Sequence, residues 1–421
     1  MPFGSEPVPC LCYSGQMPIS VSSDIKGWKT PFAALALMAI ANSFAFSTWN
    51  ALHTNYAVDV IGFGGEQQGI LHTVREIPGF LAFAAVFLLI FMREQTLGVL
   101  SILTIGIGVM LTGFFPTALG FYATTVIKSL GFHYYETAAQ SLALQWFEKK
   151  HAPSKMGKVY SYASMSTIAA YGLIFMMWKW LHLDFVWVFL AGGLVATCIG
   201  LLIWLAFPKF EGDTPQRKSL VLRKRYWLYY VITFIGGARR QIFIIFAVLL
   251  MVQKFGYSVS EMTMLFLANA VFTTLIAPRM GRFIEMWGER RSILVEHAGL
   301  FAVFALYAVV ANPWAAAVLY MLDNAFFSMS IAHRTYFQKI GNPEDMAPTA
   351  GVAFSINHIA AVFIPIPLGL LWDVDYAAVF WIGSGIALVG LLASLLVPRD
   401  PAKGNETTFS TLIPETLPAK P

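Results

Sequence analysis

The run from Pro208 to Arg225, PKFEGDTPQRKSLVLRKR, decides how this chain folds. It carries Lys209, Arg217, Lys218, Arg223, Lys224 and Arg225, and it separates two long apolar regions. On its N-terminal side, apolar stretches lie near 31–52, 67–92, 96–115, 117–147, 159–178 and 185–206. On its C-terminal side they lie near 226–252, 262–278, 292–311, 313–338, 348–372 and 376–397. Each approaches the ~20 residues that cross ~30 Å of hydrocarbon as a helix. Lipid offers no water to backbone N–H and C=O groups, so helix is the conformation expected of every stretch. The reading is an all-α membrane protein of twelve transmembrane helices in two pseudo-symmetric six-helix bundles.

Composition agrees. Of 421 residues, 57% are hydrophobic and 12% charged, where a soluble domain carries about a quarter charged residues. The 35 Phe and 12 Trp suit lipid contact and interfacial anchoring. Cys10, Cys12 and Cys198 do not suggest a disulfide-held fold. Cys10 and Cys12 form a C-x-C in a polar tail, two ligands short of a structural zinc site, so no metal or other cofactor is expected. No basic segment followed by an apolar one opens the chain, so no cleavable signal peptide is expected, and Met17 is an alternative start.

Basic residues set the orientation. With the N-terminus inside, inner loops and tails hold 21 of the 28 Lys and Arg, and outer loops hold Lys179 and Lys254. The remaining five lie within spans. This asymmetry follows the positive-inside rule only for an even number of crossings placed as above. The expected organisation is a cytoplasmic N-terminal tail (1–30), a first bundle (31–207), a cytoplasmic basic linker (208–225), a second bundle (226–398) and a cytoplasmic C-terminal tail (399–421). An integral plasma-membrane protein, monomeric and of bacterial inner-membrane type, is expected. The linker's charge is accounted for by orientation and anionic lipid, and no nucleic acid is implied.

The two halves echo each other. Trp146-Phe147-Glu148-Lys149 recurs as Tyr336-Phe337-Gln338-Lys339, and Pro153 and Met156 recur as Pro343 and Met346 at the same offset. Parallel repeats of this kind fit two bundles rocking about a central site. Between the second and third spans of the second half lies Gly281-Arg282-Phe283-Ile284-Glu285-Met286-Trp287-Gly288-Glu289-Arg290-Arg291. It resembles the loop signature of the major facilitator superfamily, G-x-x-x-D-x-x-G-x-R/K-R/K, with Glu285 standing where that family usually has Asp. The resemblance covers about residues 30–398. It implies a secondary transporter working by alternating access, with Gly281, Glu285, Gly288, Arg290 and Arg291 forming a gating latch on the cytoplasmic side. The first half has only Met92-Arg93-Glu94-Gln95 at the equivalent place, with no glycine pair.

Ionisable groups inside a span cost roughly 2.5–3.5 kcal/mol each on insertion scales and need a reason. Arg75 and Glu76, Lys128, His133 and Glu136, Arg239, Arg240 and Gln241, Asp323 and Asn324, and Asn357 and His358 fall at similar depths in different spans. Arg75, Lys128, Arg239, Arg240, Gln241, Asn324 and Asn357 are candidates for substrate binding around an aqueous cavity, and Glu76, Glu136, Asp323 and His358 for proton coupling. Each also admits a packing role: Arg75 or Glu76 pairing with a neighbouring helix, Glu136 bonding Gln140. Arg334 and Glu296 are placed near the inner surface, within reach of water by snorkelling. With those two set aside, four cations face three carboxylates, which favours a small organic or inorganic anion held by planar guanidinium forks.

Rival readings stay open. Proton antiport of lipophilic drugs suits Glu76, Glu136 and the many aromatics, but the fifth span lacks the Gly-Pro pair usual in such antiporters. A non-transporting sensor on the same scaffold is a second alternative. No G-x-S-x-G, H-E-x-x-H or Walker-type pattern suggests an enzyme. Pro365 and Pro367 mark either a static kink or a gating hinge in the eleventh span.

Overall fold

The computed structural model describes residues 27–81, 88, 91–147, 152–210, 222–342 and 345–409. Cys10, Cys12, most of the linker, Glu148, Lys149, Pro343 and the end of the C-terminal tail lie outside the described residues.

Helices α1 (Pro31–Asn55), α2 (Gly65–Phe80), α3 (Glu94–Thr112), α4 (Ala118–Trp146), α5 (Ala152–Lys179) and α6 (Phe185–Ala206) form the first half. The second begins with α7 (Trp227–Gln241). A helical segment, Val259–Val309, is then broken at Gly288 (φ 78°, ψ 166°) into α8 (259–287) and α9 (289–309). Helix α10 (Pro313–Phe327) continues as Ile331–Ile340, α11 (Met346–Phe363) continues as Pro365–Val374, and α12 is Tyr376–Ser394. These are twelve crossings at the places the apolar stretches marked. Ten of the described helical spans are long and apolar enough to cross a membrane. The two crossings not among them are α2, of which Gly65–Phe80 is described, and α4, which carries Lys128 and Glu136.

Local chemistry sets the helix starts. Thr30 Oγ1 accepts the Ala33 N–H (3.1 Å) ahead of Pro31, and Asn312 Oδ1 accepts from Trp314 (2.8 Å) and Ala315 (3.2 Å) ahead of Pro313. Both combine a side-chain cap with a proline in the first turn, where its missing N–H costs nothing. Ser258 and Glu261 make a capping box on α8. The halves also share an irregularity. Helix α1 runs on into a π-helical turn, Tyr56–Ile61, ended by Gly62 at positive φ. Helix α7 runs on through Ile242–Ala247 and Leu250–Lys254 to Gly256, also at positive φ.

Within each half the third helix is gripped by the fourth and sixth. Helix α3 packs on α4 and α6, and α9 packs on α10 and α12, at approaches where a Cβ on Gly106, Gly131, Gly299 or Gly390 would collide with the neighbour. Small residues permit this closeness, the main source of helix association in lipid. Large apolar side chains such as Leu119, Leu205, Val309 and Trp314 remain exposed on the outside, as a lipid-facing surface should be.

The halves join at the face away from the termini. A Cβ on Gly69 would lie 2.4 Å from the Pro365 carbonyl oxygen, and one on Gly369 2.3 Å from that of Gly65, so α2 and the outer part of α11 touch backbone to backbone. The Asp373 carboxylate accepts the N–H groups of Gly65 (2.7 Å) and Glu66 (2.9 Å), capping α2 from the other bundle. Asn55 donates to the Tyr257 carbonyl (2.8 Å), and the Thr73 hydroxyl to that of Val362 (3.0 Å), next to the break at Ile364 before Pro365.

Candidate functional site

A cavity of about 600 Å³ lies between the bundles. Arg75, Lys128, Arg239, Arg240, Gln241, Asn324, Asn357, Glu76, Glu136, Asp323 and His358 all line it. They come from α2, α4, α7, α10 and α11. Most sit ten to twelve residues from a helix end, about 15–18 Å deep at 1.5 Å per residue.

The groups are not equivalent. Arg75 and Glu76 pair with each other, Nη2 to Oε1 at 2.6 Å, and the second Glu76 oxygen faces His358 of α11 at 3.6 Å. The Ser129 hydroxyl holds the Arg75 carbonyl. Lys128 is 1% exposed, with Nζ 4.1 Å from the Trp49 ring centroid and 4.5 Å from that of Phe46. A desolvated cation gains about 2 kcal/mol from such faces. Among the described residues no carboxylate lies within ion-pair distance of Lys128.

In the second bundle, Arg239 is 1% exposed and lies between Glu296 (3.2 Å) and Asp323 (3.9 Å). His333 Nε2 approaches the other Glu296 oxygen at 3.0 Å. One expectation is corrected here. Glu296 does not reach the surface; it is 0% exposed, with Arg239 and His333 lying against its carboxylate within the bundle. Arg334 is exposed, as a residue within reach of water should be, and it lines the cavity. Its neighbour in sequence, His333, turns inward to Glu296. Arg240 is likewise exposed into the cavity and forms no ion pair among the described residues.

The signature loop is built differently from a closed latch. Glu285 and Arg291 are exposed. Arg290 Nη2 donates to the Leu395 carbonyl (3.1 Å) at the end of α12, and the buried carboxylate there is Glu289, paired with Lys339 at 2.8 Å. Gly281 is helical, and Gly288 makes the turn. The match of the major facilitator superfamily model covers residues 32–365 and 229–419.

The chain belongs to the major facilitator superfamily. Among solved structures it is similar to the nucleoside transporter NupG, with TM-score 0.68 and 14% identity over 86% of this chain and 98% of that one. It is similar to a bacterial homologue of the human lysosomal transporter Spinster in an inward-facing and occupied conformation (TM-score 0.64, 14% identity, 86% and 94% covered). The POT family transporter PepTSo gives TM-score 0.69 at 10% identity, covering 87% and 97%. At these identities the likeness is one of fold. No curated protein sequence matches the chain. As a superfamily member it is an integral membrane secondary transporter, and a small-molecule solute is its substrate.

Sequence reading missed several lining residues. Asn50, Tyr171, Asn269 and Tyr320 face the cavity without any charge to flag them, and Phe46 and Phe132 look like lipid-facing residues until Lys128 is seen against them. Asn in an otherwise apolar span was the available signal for Asn50 and Asn269.

Proposed function

We propose that this transporter moves a small organic or inorganic anion by alternating access, with a proton as coupling ion. The observation that carries the reading is Arg240: a guanidinium open to the central cavity, with no carboxylate paired to it among the described residues. Five cations line the cavity (Arg75, Lys128, Arg239, Arg240, Arg334) against three carboxylates (Glu76, Glu136, Asp323). Three of the five lack an acidic partner among the described residues, and a visiting anion would compensate charge that the protein leaves uncompensated. Arg240 and Arg334 supply forks suited to carboxylate or phosphate, Lys128 supplies a point charge, and Gln241, Asn324 and Asn357 supply amides. A volume near 600 Å³ admits a solute larger than a simple ion.

Glu76, Glu136, Asp323 and His358 are assigned to coupling, because each is a titratable group lining the same cavity as the cations. Gly281, Glu285, Gly288, Arg290 and Arg291 are assigned to the gate at the face where the termini lie, taken as cytoplasmic from the distribution of Lys and Arg. The contacts between α2 and α11 close the opposite face, so solute enters and leaves this state from the terminal side. The positive lining disfavours the alternative of cationic drug efflux. The test is uptake by the purified protein in liposomes under an imposed pH gradient. Accumulation of an organic anion, lost in Arg240→Gln, supports the reading; accumulation of lipophilic cations alone overturns it.

A further inference from the structure

Glu76, His133 and His358 come from three helices and both bundles, and their ligating atoms all lie within 4.8 Å of one another. Glu76 Oε2 stands 3.6 Å from His358 Nε2. Two ligands of a tetrahedral ion with bonds of 2.0–2.1 Å stand about 3.4 Å apart. The geometry points to a binding site for a first-row divalent cation of the zinc type, completed only when α2, α4 and α11 are together.

The surroundings of each side chain support ligation. His358 Nδ1 lies 2.9 Å from the Phe354 carbonyl oxygen; an N–H donated there leaves the Nε2 lone pair for a metal, the usual outer arrangement of a metal-bound imidazole. Arg75 occupies Glu76 Oε1 and leaves Oε2 turned to the histidines. His133 is 4% exposed and lines the cavity, and its Nδ1 is buried with no hydrogen-bond partner. Room for the group comes from Gly79, one turn beyond Glu76: a Cβ there would lie 2.4 Å from His358 Cδ2 and 2.6 Å from His133 Cε1. A His₂Glu set with its fourth position toward water is a recurrent open zinc site.

The neighbouring cations set the selectivity. Arg75 already offsets the Glu76 charge, so ions held chiefly by charge and oxygen ligands, such as Mg²⁺, gain little here. Metals that bind imidazole, such as Zn²⁺ and Co²⁺, retain two good ligands. The second cluster of like composition, Glu296, His297 and His333, differs in two respects. Arg239 and His333 already engage the Glu296 carboxylate, and none of the three lines the cavity. An ion at the first site ties Glu76 and His133 of one bundle to His358 of the other, so it holds the bundles in this relative position and slows alternation.

The test uses the full-length protein purified in detergent, with ZnCl₂, CoCl₂ and MgCl₂ as probes. Expected are thermal stabilisation by Zn²⁺ but not Mg²⁺, and a visible Co²⁺ absorption of low-coordinate type. His133→Ala and His358→Ala should each weaken Zn²⁺ binding about tenfold or more, with His297→Ala unchanged. Gly79→Ala, which keeps all three ligands but fills their space, should weaken it as well and serves if a histidine variant does not fold. Absence of any Zn²⁺ response, or a response that survives Gly79→Ala and both ligand substitutions, or one lost only in His297→Ala, overturns the site.

Discussion

Arg239 and Arg240 are consecutive residues with opposite situations. Arg239 is sealed between Glu296 and Asp323, and Arg240 opens into the central cavity without an ion-pair partner among the described residues. One helical step of about 100° separates them, which suffices to make one a structural cation and the other a candidate ligand.

Substituting the two separately should therefore give different phenotypes. Arg239→Gln leaves two buried carboxylates without their cation and is expected to destabilise the protein by about 3–5 kcal/mol, read as a lowered Tm without added solute. Arg240→Gln should leave that Tm nearly unchanged and weaken anion binding about tenfold or more, the loss of one charge-assisted contact of about 1.5–3 kcal/mol. Equal Tm losses in both variants would contradict the distinction.

Gly369→Ala should disturb the joint between the bundles. The added methyl would meet the Gly65 carbonyl oxygen at 2.3 Å, backbone against backbone, with no side chain to give way. The α2–α11 contact is expected to loosen. A cysteine pair introduced across it should cross-link more slowly in Gly369→Ala than in the parent, and an unchanged rate would show that the contact does not seal this face.

Gly288 adopts φ 78° and ψ 166° with no heavy atom near its would-be Cβ. Gly288→Ala consequently suffers backbone strain alone, about 1–3 kcal/mol in a region essentially restricted to glycine. A Tm equal to the parent's would mean that the turn relaxes to another conformation.

At the face where the termini lie, Asp345 is 1% exposed and accepts from Arg223 (2.8 Å) and from the Tyr226 hydroxyl (2.9 Å). Burial pushes its carboxyl up, but the hydrogen bonds and the Arg223 and Arg225 charges outweigh it and hold it below the ordinary aspartate value. A carboxylate depressed on folding stabilises above its unfolded value and loses that contribution as pH falls through the folded one. Parent and Asp345→Asn should thus differ by about 1 kcal/mol near neutral pH, allowing for the half-exposed Arg223. The difference should shrink as pH drops below the ordinary aspartate range. A gap that widens in acid would contradict the pairing.

How much of this was legible in the sequence follows from what is local. Span positions, the loop that holds Gly288 and the break at Pro365 depend on residues within one or two turns, and the structure places them where the sequence does. The convergence of Arg75, Lys128, Arg240, Asp323 and His358 on one cavity was also legible, because polar groups buried at one depth have nowhere else to go. Their pairing was not. Glu296 lies near a helix end by counting, yet it is fully buried because Arg239 and His333 reach it from other helices. Phe46 and Trp49 read as lipid-facing bulk until Lys128, from another helix, lies against them. Such contacts depend on helix rotation and on which helices are neighbours, and neither has a local signature.

The central claim is that the cavity prefers anions. Thermal stabilisation of the purified protein by a matched panel of small organic acids, phosphate esters and lipophilic cations tests it most directly, since stabilisation follows affinity for the folded state. Stabilisation by members of the anionic set, abolished in Arg240→Gln, is the predicted result. Stabilisation confined to the cations, unaffected by that substitution, would contradict the account.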